Sequence, residues 1–434
     1  MATATIKRLT ATLKPTVISA TIIRRKTTSA EYVASRARDP TFEKLMDKYR
    51  NLLKVISIQD LILATATPAS ESNNPPSVPL GFLNRLSQKL HLNRGATAFL
   101  RKYPHIFHIF NHPTKFEPFC TLQLAALEIF DHESQAINAS IPLVVDRLVR
   151  LLSISLTKTL PLRAIFKVWK ELGLPDDFES SVIAKNPNLF ALDDGNEPNT
   201  HVLKLVSEVD KSSLIASVED WRLTECCRED CDVDRTVIRY SFKHNYPPGM
   251  RLRKIFKAKV NEWQSLPYIG PYEEMPIEGT RRSKFGTKKM EKRAAGIVHE
   301  FLSLTVEKMV EVEKISQFRK WFGIDLNIRD LFLDHPGMFY LSTKGKRHTV
   351  FLREAYERGC LIQPNPVYEA RRKLLNLVNM GRRGMLRRNA KLKNVGQSEG
   401  DGLEEVENYE DEELEEAESN EDEELEEAES NEED

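Results

Sequence analysis

The feature that most restricts the fold is a short proline-containing pattern that occurs three times. Around the proline the sequence is F-L-R-K-Y-P-H-I-F-H-I in the first copy, V-I-A-K-N-P-N-L-F-A-L in the second and L-F-L-D-H-P-G-M-F-Y-L in the third. The prolines are Pro104, Pro187 and Pro336, and the phenylalanines three positions later are Phe107, Phe190 and Phe339. A pattern shared by three distant segments predicts three copies of one structural unit.

Each unit is predicted to consist of two helices followed by a β-hairpin. The first helices are expected at Phe82–Leu92, Leu162–Leu172 and Ile315–Phe322. Proline disfavours helical backbone in the residue before it, so the second helix should end at each proline. Alternating apolar and polar residues then indicate a half-buried strand, with second strands at Phe119–Leu124, Val202–Val206 and His348–Leu352. Tandem helix-helix-hairpin units are winged-helix-like, but helical-repeat units of an α-solenoid would give the same pattern. Both make the protein mainly α with small β-hairpins.

Further helices and one loop are predicted outside these units. Apolar residues with helical spacing predict a helix over Asp39–Ala64, and the segment Pro68–Pro79 is a loop because it is rich in Pro, Ser and Asn. Ile141–Leu156 and Lys288–Glu313 are expected to be helices, and Gly249–Trp263 a shorter basic one.

The charges are distributed unevenly along the chain. The formal net charge is −1, from 63 Lys and Arg against 64 Asp and Glu. Residues 399–434 hold 22 of the acidic residues and no basic one, so residues 1–398 hold 63 basic and 42 acidic residues, a net charge of +21. The final segment also contains E-D-E-E-L-E-E-A-E-S-N twice. These features predict a disordered acidic C-terminal tail over 399–434 with an 11-residue repeat, and a basic body with a polyanionic partner.

The first residues of the chain have the composition of a targeting segment. No Asp or Glu occurs before Glu31, whereas six basic residues and ten Ser or Thr do. This composition is typical of an organellar transit peptide, which we place at residues 1–30. Arg24 and Arg25 favour the mitochondrion, with the chloroplast as the alternative. No apolar stretch approaches the length of a membrane span, so no membrane partner is expected.

The sequence contains no catalytic constellation that we can identify. A glycine-rich phosphate loop, H-E-x-x-H and G-x-S-x-G are all absent. Cys226, Cys227 and Cys231 are clustered, but their spacing is unlike that of a zinc site, and reduced thiols are expected. We therefore expect no enzyme activity, metal, cofactor or small-molecule substrate.

Basic clusters with interleaved aromatic residues are the candidate functional feature. Lys and Arg on such surfaces neutralise phosphates, and an exposed aromatic ring can stack on an unpaired base. Phe256 and Trp263 have the helical spacing of core residues, so Phe285 is the preferred stacking candidate. The predicted nucleic-acid-binding residues are Arg251, Arg253, Lys254, Lys257, Lys259, Arg281, Arg282, Lys284, Phe285, Lys288, Lys289, Lys292, Arg293, Lys344, Lys346 and Arg347, the last three on the loop of the third hairpin.

Two runs of sequence carry a family resemblance. The start R-D-P-T-F-E-K-L-M-D (Arg38–Asp47) and the run P-G-M-F-Y-L-S-T-K-G-K-R-H-T-V-F-L-R-E-A-Y (Pro336–Tyr356), together with the proline units, resemble the plant organelle RNA recognition domain, or PORR domain. The resemblance covers residues 35–383, followed by a basic extension at 384–398. It implies a non-catalytic RNA-binding protein of a plant organelle that binds intron RNA, promotes group II intron splicing and acts with other splicing factors.

Two other functions are compatible with the residues alone. Winged-helix modules often bind duplex DNA, so an organellar DNA-binding or transcription-associated protein is one alternative. A protein-interaction scaffold with acidic partners is the other.

Overall fold

The structure is a computed structural model, and it describes most of the chain between residues 38 and 394. The described ranges are 38–65, 75–92, 94–113, 115–195, 200–207, 214–225, 240–247, 250, 252–274, 284–344 and 347–394. The predicted transit peptide and acidic tail lie outside these ranges, as do Cys226, Cys227 and Cys231.

The described residues form a mainly helical fold with small antiparallel sheets, as predicted. Its helices are α1 (Pro40–Leu63), α2 (Leu80–Arg85), α3 (Gly95–Lys102), α4 (Leu124–Ala139), α5 (Ile141–Ile154), α6 (Leu162–Leu172), α7 (Ser217–Glu225), α8 (Lys254–Ser265), α9 (Lys284–Leu304), α10 (Val312–Ser316), α11 (Ile328–Asp334) and α12 (Pro366–Asn394), with a π-helical turn at Glu179–Ile183 and a 3-10 turn at Arg353–Ala355. Its strands are β1 (Ser77–Pro79), β2 (Phe107–Asn111), β3 (Pro118–Leu122), β4 (Thr159–Pro161), β5 (Phe190–Asp194), β6 (His201–Leu205), β7 (Met309–Glu311), β8 (Phe339–Ser342), β9 (Thr349–Leu352), β10 (Tyr356–Glu357) and β11 (Cys360–Leu361).

Helix α1 begins where the sequence places a capping residue next to a proline. The Asp39 carboxylate accepts a hydrogen bond from the Thr41 backbone N–H at 3.1 Å, and Pro40 occupies the first turn, where no N–H is needed. The apolar face includes Leu52 and Val55, which are fully buried. These local signals explain why the predicted helix Asp39–Ala64 differs from the observed one by a single residue at each end.

The three proline patterns occupy matching positions in three sheets. Each sheet has the strand order first–third–second, namely β1-β3-β2, β4-β6-β5 and β7-β9-β8. The phenylalanine after each proline opens a strand, and its backbone partners are Phe107 with Leu122, Phe190 with Leu205 and Phe339 with Leu352. The proline pattern thus marks one register that is used three times. The winged-helix-like and helical-repeat descriptions of the complete unit stay predictions.

Several boundaries differ from the predicted ones. Each sheet has a short extra strand, β1, β4 or β7, whose three residues are too few to show an alternating pattern. The predicted loop Pro68–Pro79 therefore ends before Ser77, because β1 pairs with β3; Pro79 is tolerated at this edge position. The predicted helix Lys288–Glu313 is divided after Leu304, where the chain turns into β7 and then α10.

Three shorter predicted helices also differ from the observed ones in their bounds. The segment predicted as a helix at Phe82–Leu92 is helical only to Arg85 and continues as turns, and the one at Ile315–Phe322 is replaced by α10 and further turns. The basic helix predicted at Gly249–Trp263 begins instead at Lys254. Turn-forming segments carry apolar residues into the core here, so apolar spacing alone overestimates the helix.

The third sheet lies between the two hydrophobic cores of the protein. Phe339, Val350 and Leu352 face one core, while Tyr340 and Phe351 face the other, which includes α1. All four residues of β9 are buried for this reason. The strand after the proline was predicted to be half-buried, but in the third unit this strand, β8, has Phe339, Tyr340 and Ser342 buried because its two faces meet different cores.

The two runs that carry the family resemblance pack against each other. Residues from α1 and its cap contact residues from β8 to the 3-10 turn, although about 300 positions separate them in the chain. The contacts are Arg353 Nη1 with Asp39 Oδ2 at 2.8 Å, Lys344 Nζ with Asp47 Oδ2 at 2.8 Å, the Tyr340 hydroxyl with the Glu43 carboxylate, and the Phe42 and Tyr340 rings at a centroid distance of 5.0 Å. These runs therefore connect the start of the domain to its third unit.

A buried pair formed by His299 on α9 and Glu354 in the 3-10 turn predicts that the stability of the fold depends on pH. His299 is buried, and its Nε2 lies 2.5 Å from Glu354 Oε1. Burial disfavours the charged imidazole, but the charge and hydrogen bond of Glu354, with Glu300, raise the pKa of His299 above 6.5. A raised pKa means that the pair stabilises the fold fully below pH 6.5 and that this contribution is lost as the pH rises through the raised pKa.

The variant Glu354→Gln is expected to lower the free energy of unfolding by about 2 kcal/mol in mildly acidic buffer, and by much less in alkaline buffer. Urea denaturation of both proteins at the two pH values measures the difference. Glu313→Gln, at a mostly exposed carboxylate, is the control and should change little at either pH. An equal loss at both pH values for Glu354→Gln would contradict the assignment of a charged His299.

Candidate nucleic-acid interface

Helix α8 presents three of the predicted basic residues to solvent. Lys254, Lys257 and Lys259 are exposed, and Arg253, which caps the helix, is exposed as well. Trp263, which is 8% exposed, anchors the side of the helix opposite Lys254 and Lys257, and Lys259 lies nearer to the Trp263 side. Since Lys254 and Lys257 are one turn apart, they are neighbours on one face and can contact adjacent phosphates.

Lys292, in contrast, is not available to a ligand. Its side chain is 0% exposed, and its Nζ donates hydrogen bonds to the carbonyl oxygens of Trp263, Gln264 and Leu266 at 2.8, 2.8 and 2.6 Å. Burial, aided by Arg222, lowers the pKa of Lys292 to about 7. We therefore remove Lys292 from the predicted interface: it joins α9 to the C-terminal end of α8.

Arg293 has the same kind of internal role. It is buried, and its guanidinium donates to the carbonyl oxygens of Gly270 and Glu273. Burial also lowers the pKa of Arg293. A guanidinium occupied by backbone carbonyls inside the fold cannot bind phosphate, so this residue is also removed from the interface.

The start of α9 adds a partly exposed charge beside α8. Lys288 Nζ lies 2.7 Å from Glu262 Oε1, and both side chains are about half exposed (45% and 58%). Lys289 is half-buried and has an interaction of its own. An exposed ion pair contributes at most about 1 kcal/mol, so a phosphate can replace Glu262 as the partner of Lys288.

Lys344 and Arg347, on the third hairpin, form ion pairs with carboxylates of the same chain. Lys344 is 20% exposed and pairs with Asp47 on α1, and Arg347 pairs with Glu311 at 3.0 Å. The pairing of Lys344 with α1 makes it part of the contact between the two distinctive runs. Arg347 keeps half of its side chain in solvent, so of Lys344 and Arg347 it is Arg347 that a phosphate can reach.

The remaining predicted residues, or their side chains, lie outside the part of the chain that the structure describes. These residues are Arg251, Arg281, Arg282 and Lys346, together with the side chains of Lys284 and Phe285 at the start of α9. Their part in RNA binding stays a prediction.

An aromatic cleft adjoins α8 and was not predicted. It has a volume of about 290 Å³ and lies between α8, the segment 242–247 and the end of α11. The rings of His244 and Tyr246 are stacked at a centroid distance of 5.7 Å, and the ring centroids of Trp263 and His335 are 4.4 Å apart. Phe256, half-buried, lines the same cleft, so the two aromatic residues expected in the core, Trp263 and Phe256, also form its walls.

His244 and Tyr246 were not predicted as site residues because the sequence around them contains no motif or periodic pattern. They lie in an extended segment without periodicity, and only its docking against the third unit brings them to Trp263. Burial, with a smaller contribution from His335, lowers the pKa of His244 to about 4, so its ring is neutral at physiological pH. Burial raises the pKa of Tyr246 to about 12, which keeps its hydroxyl protonated.

Two other features are absent from the part of the chain that the structure describes. No group of His, Cys, Asp or Glu side chains there is arranged to hold a metal ion. None of the helices in these ranges is long and apolar enough to cross a membrane.

Exposed lysines beside an aromatic cleft are the features of a protein that binds nucleic acid. The chain belongs to the plant organelle RNA recognition domain family, whose sequence profile matches residues 37–383. The resemblance seen in Arg38–Asp47 and Pro336–Tyr356 is thereby confirmed.

Similar proteins occur in several plants. The chain is 38% identical over 355 residues to Root Primordium Defective 1 of Arabidopsis thaliana, covering 80% of this chain and 84% of that protein. It is 28% identical over 359 residues to the chloroplastic What's This Factor 1 of Zea mays, covering 81% of this chain and 68% of that protein. It is 27% identical over 370 residues to the mitochondrial What's This Factor 9 of Arabidopsis thaliana, covering 84% of this chain and 90% of that protein. No solved structure matches the chain.

Proposed function

We propose that this protein is a non-catalytic RNA-binding factor of a plant organelle that promotes group II intron splicing. The observation that carries the proposal is the membership of a plant organelle RNA recognition family, over residues 37–383, in a chain that exposes lysines along α8. The relatives named as chloroplastic or mitochondrial support an organellar location, and Arg24 and Arg25 favour the mitochondrion.

In this proposal the protein acts by binding, and the intron supplies the chemistry. Lys254, Lys257 and Lys259 neutralise phosphates of the intron RNA and release counterions, which gives strong, salt-dependent affinity with little dependence on sequence. Contacts to exposed bases then select single-stranded regions. RNA held in this way keeps the fold in which its own active site works, and other splicing factors can bind the same RNA.

Transcript analysis in a plant that lacks the protein tests the proposal. Organelle transcripts should accumulate with one or more group II introns retained, and these introns should co-purify with the wild-type protein. A transgene encoding the wild-type chain should restore splicing, whereas a chain with Lys254, Lys257 and Lys259 replaced by Gln should not. Normal splicing of every organelle intron in the mutant plant would refute a role in splicing.

A further inference from the structure

We propose that the aromatic cleft binds one unpaired nucleobase that carries an exocyclic amino group, with its phosphates at the mouth beside Lys259 and Lys288. The inference rests on the proposed function and specifies what the protein recognises in the RNA. Both lysines line the cleft, and Lys259 is exposed. Adenine, cytosine and guanine carry such an amino group, whereas uracil does not.

The walls of the cleft suit a flat, aromatic ligand. Trp263, Phe256 and the stacked pair of His244 and Tyr246 line it, and His335 closes it beside Trp263. The lowered pKa of His244 leaves a neutral ring, so stacking does not require desolvation of a charge. Stacking on aromatic side chains is the usual way in which proteins hold unpaired bases.

Two polar atoms in the walls have no partner within the described structure. The Nε1 of Trp263 and the hydroxyl of Tyr246 are buried and form no hydrogen bond to any described residue. A buried polar atom without a partner is unfavourable, and in native structures it often marks a place that a ligand or water satisfies. Both atoms are covered by neighbouring side chains, so a base whose ring nitrogen or carbonyl oxygen accepts from them displaces part of the wall as it enters.

The charges of the cleft favour a base over a phosphate. The carboxylates of Glu262, Glu291 and Asp334 line it together with the two lysines. Carboxylates repel phosphate, but they accept hydrogen bonds from exocyclic amino groups, as Glu and Asp do with cytosine N4. The arrangement therefore places the base inside, next to the carboxylates, and the phosphates outside, next to the lysines.

A glycine in the third proline unit leaves room for the two rings that form one wall of the cleft. Gly337 follows Pro336, and a Cβ built on it would lie 2.5 Å from the His244 ring and 2.8 Å from the Tyr246 ring. The Gly337 carbonyl also accepts a hydrogen bond from the Asn245 N–H at 2.7 Å. The first and second units have His105 and Asn188 at this position, so neither can take the segment 242–247 in the same way.

Fluorescence anisotropy with the full chain tests the inference. The probes are an all-uridine RNA of about 12 nucleotides and the same RNA with one central uridine replaced by cytidine or adenosine. The single replacement should tighten binding roughly tenfold for the wild type. Tyr246→Phe removes only the unpartnered hydroxyl and should reduce this gain to about threefold or less. Tyr103→Phe, a buried tyrosine of the first unit, should keep the tenfold gain.

The outcomes separate this inference from the function on which it rests. Equal binding of all three RNAs by the wild type would overturn the base pocket and leave RNA binding intact, whereas failure to bind any of them would contradict the proposed function too. An aromatic cleft with carboxylates can also hold a methylated ammonium group. Binding of a trimethyl-lysine peptide that Tyr246→Phe weakens would therefore overturn the assignment to a base.

Discussion

Replacing Asp39 by Asn is expected to lower the free energy of unfolding by about 3–5 kcal/mol. Asn keeps the capping acceptor for Thr41, so the loss reports the charge and not the cap. The guanidinium of Arg353 is 2% exposed and lies over the rings of Phe42 and Tyr340, at 5.2 and 5.0 Å from their centroids. Without the Asp39 carboxylate, this buried charge loses its counter-ion.

A double-mutant cycle makes the test specific. Arg353→Met in the Asp39→Asn background removes the buried positive charge and should recover part of the lost stability, since an apolar side chain can replace a buried ion pair. Asp47→Asn, on the same helix but with a partly exposed carboxylate, is the matched control and should cost about 1 kcal/mol or less. Equal losses for Asp39→Asn and Asp47→Asn in urea denaturation would show that the Asp39–Arg353 pair does not hold the domain together.

Replacing Lys254, Lys257 and Lys259 by Gln is expected to weaken RNA binding roughly 10- to 100-fold near physiological salt. Each phosphate contact on single-stranded RNA adds about −0.7 to the slope of log affinity against log salt, so the loss of three contacts should reduce the slope by about 2. Because the three side chains are exposed, the fold should be unaffected. Anisotropy titrations at several salt concentrations measure both quantities.

The matched control removes the same charge elsewhere. Lys167, Lys185 and Lys204 are also exposed but lie on the second proline unit. Their replacement by Gln changes the net charge equally and should alter affinity by about threefold or less, through the long-range field alone. If both triple variants lose affinity and slope to the same extent, binding depends on total charge and α8 is not the interface.

The elements that the sequence predicted well have strong local signals. Helix α6 was predicted with its observed bounds because an apolar face repeats through Leu162–Leu172 and a glycine in the left-handed conformation, Gly173, ends it. The extra strands of the three sheets could not be predicted, since a strand of three residues has no periodicity and exists only through its pairing with a distant strand.

The candidate interface was predictable only where side chains remain on the surface. Lys257 and Lys292 both lie in basic helical segments, yet one is exposed and the other buried. The apolar run A-A-G-I-V just after Arg293 was a signal that α9 enters the core from this point. The cleft had no such signal, because His244 and Tyr246 meet Trp263 only through tertiary packing.

The proposed function requires that this basic body binds single-stranded RNA in preference to duplex DNA. Competition binding measures this directly: a labelled single-stranded RNA is bound to the full chain, and unlabelled RNA or duplex DNA of equal length is added at salt from roughly 50 to 200 mM. RNA is expected to displace the probe at much lower concentration than duplex DNA, with the logarithm of the affinity falling linearly with log salt. Equal displacement by the two competitors, or an affinity independent of salt, would contradict the proposed RNA binding.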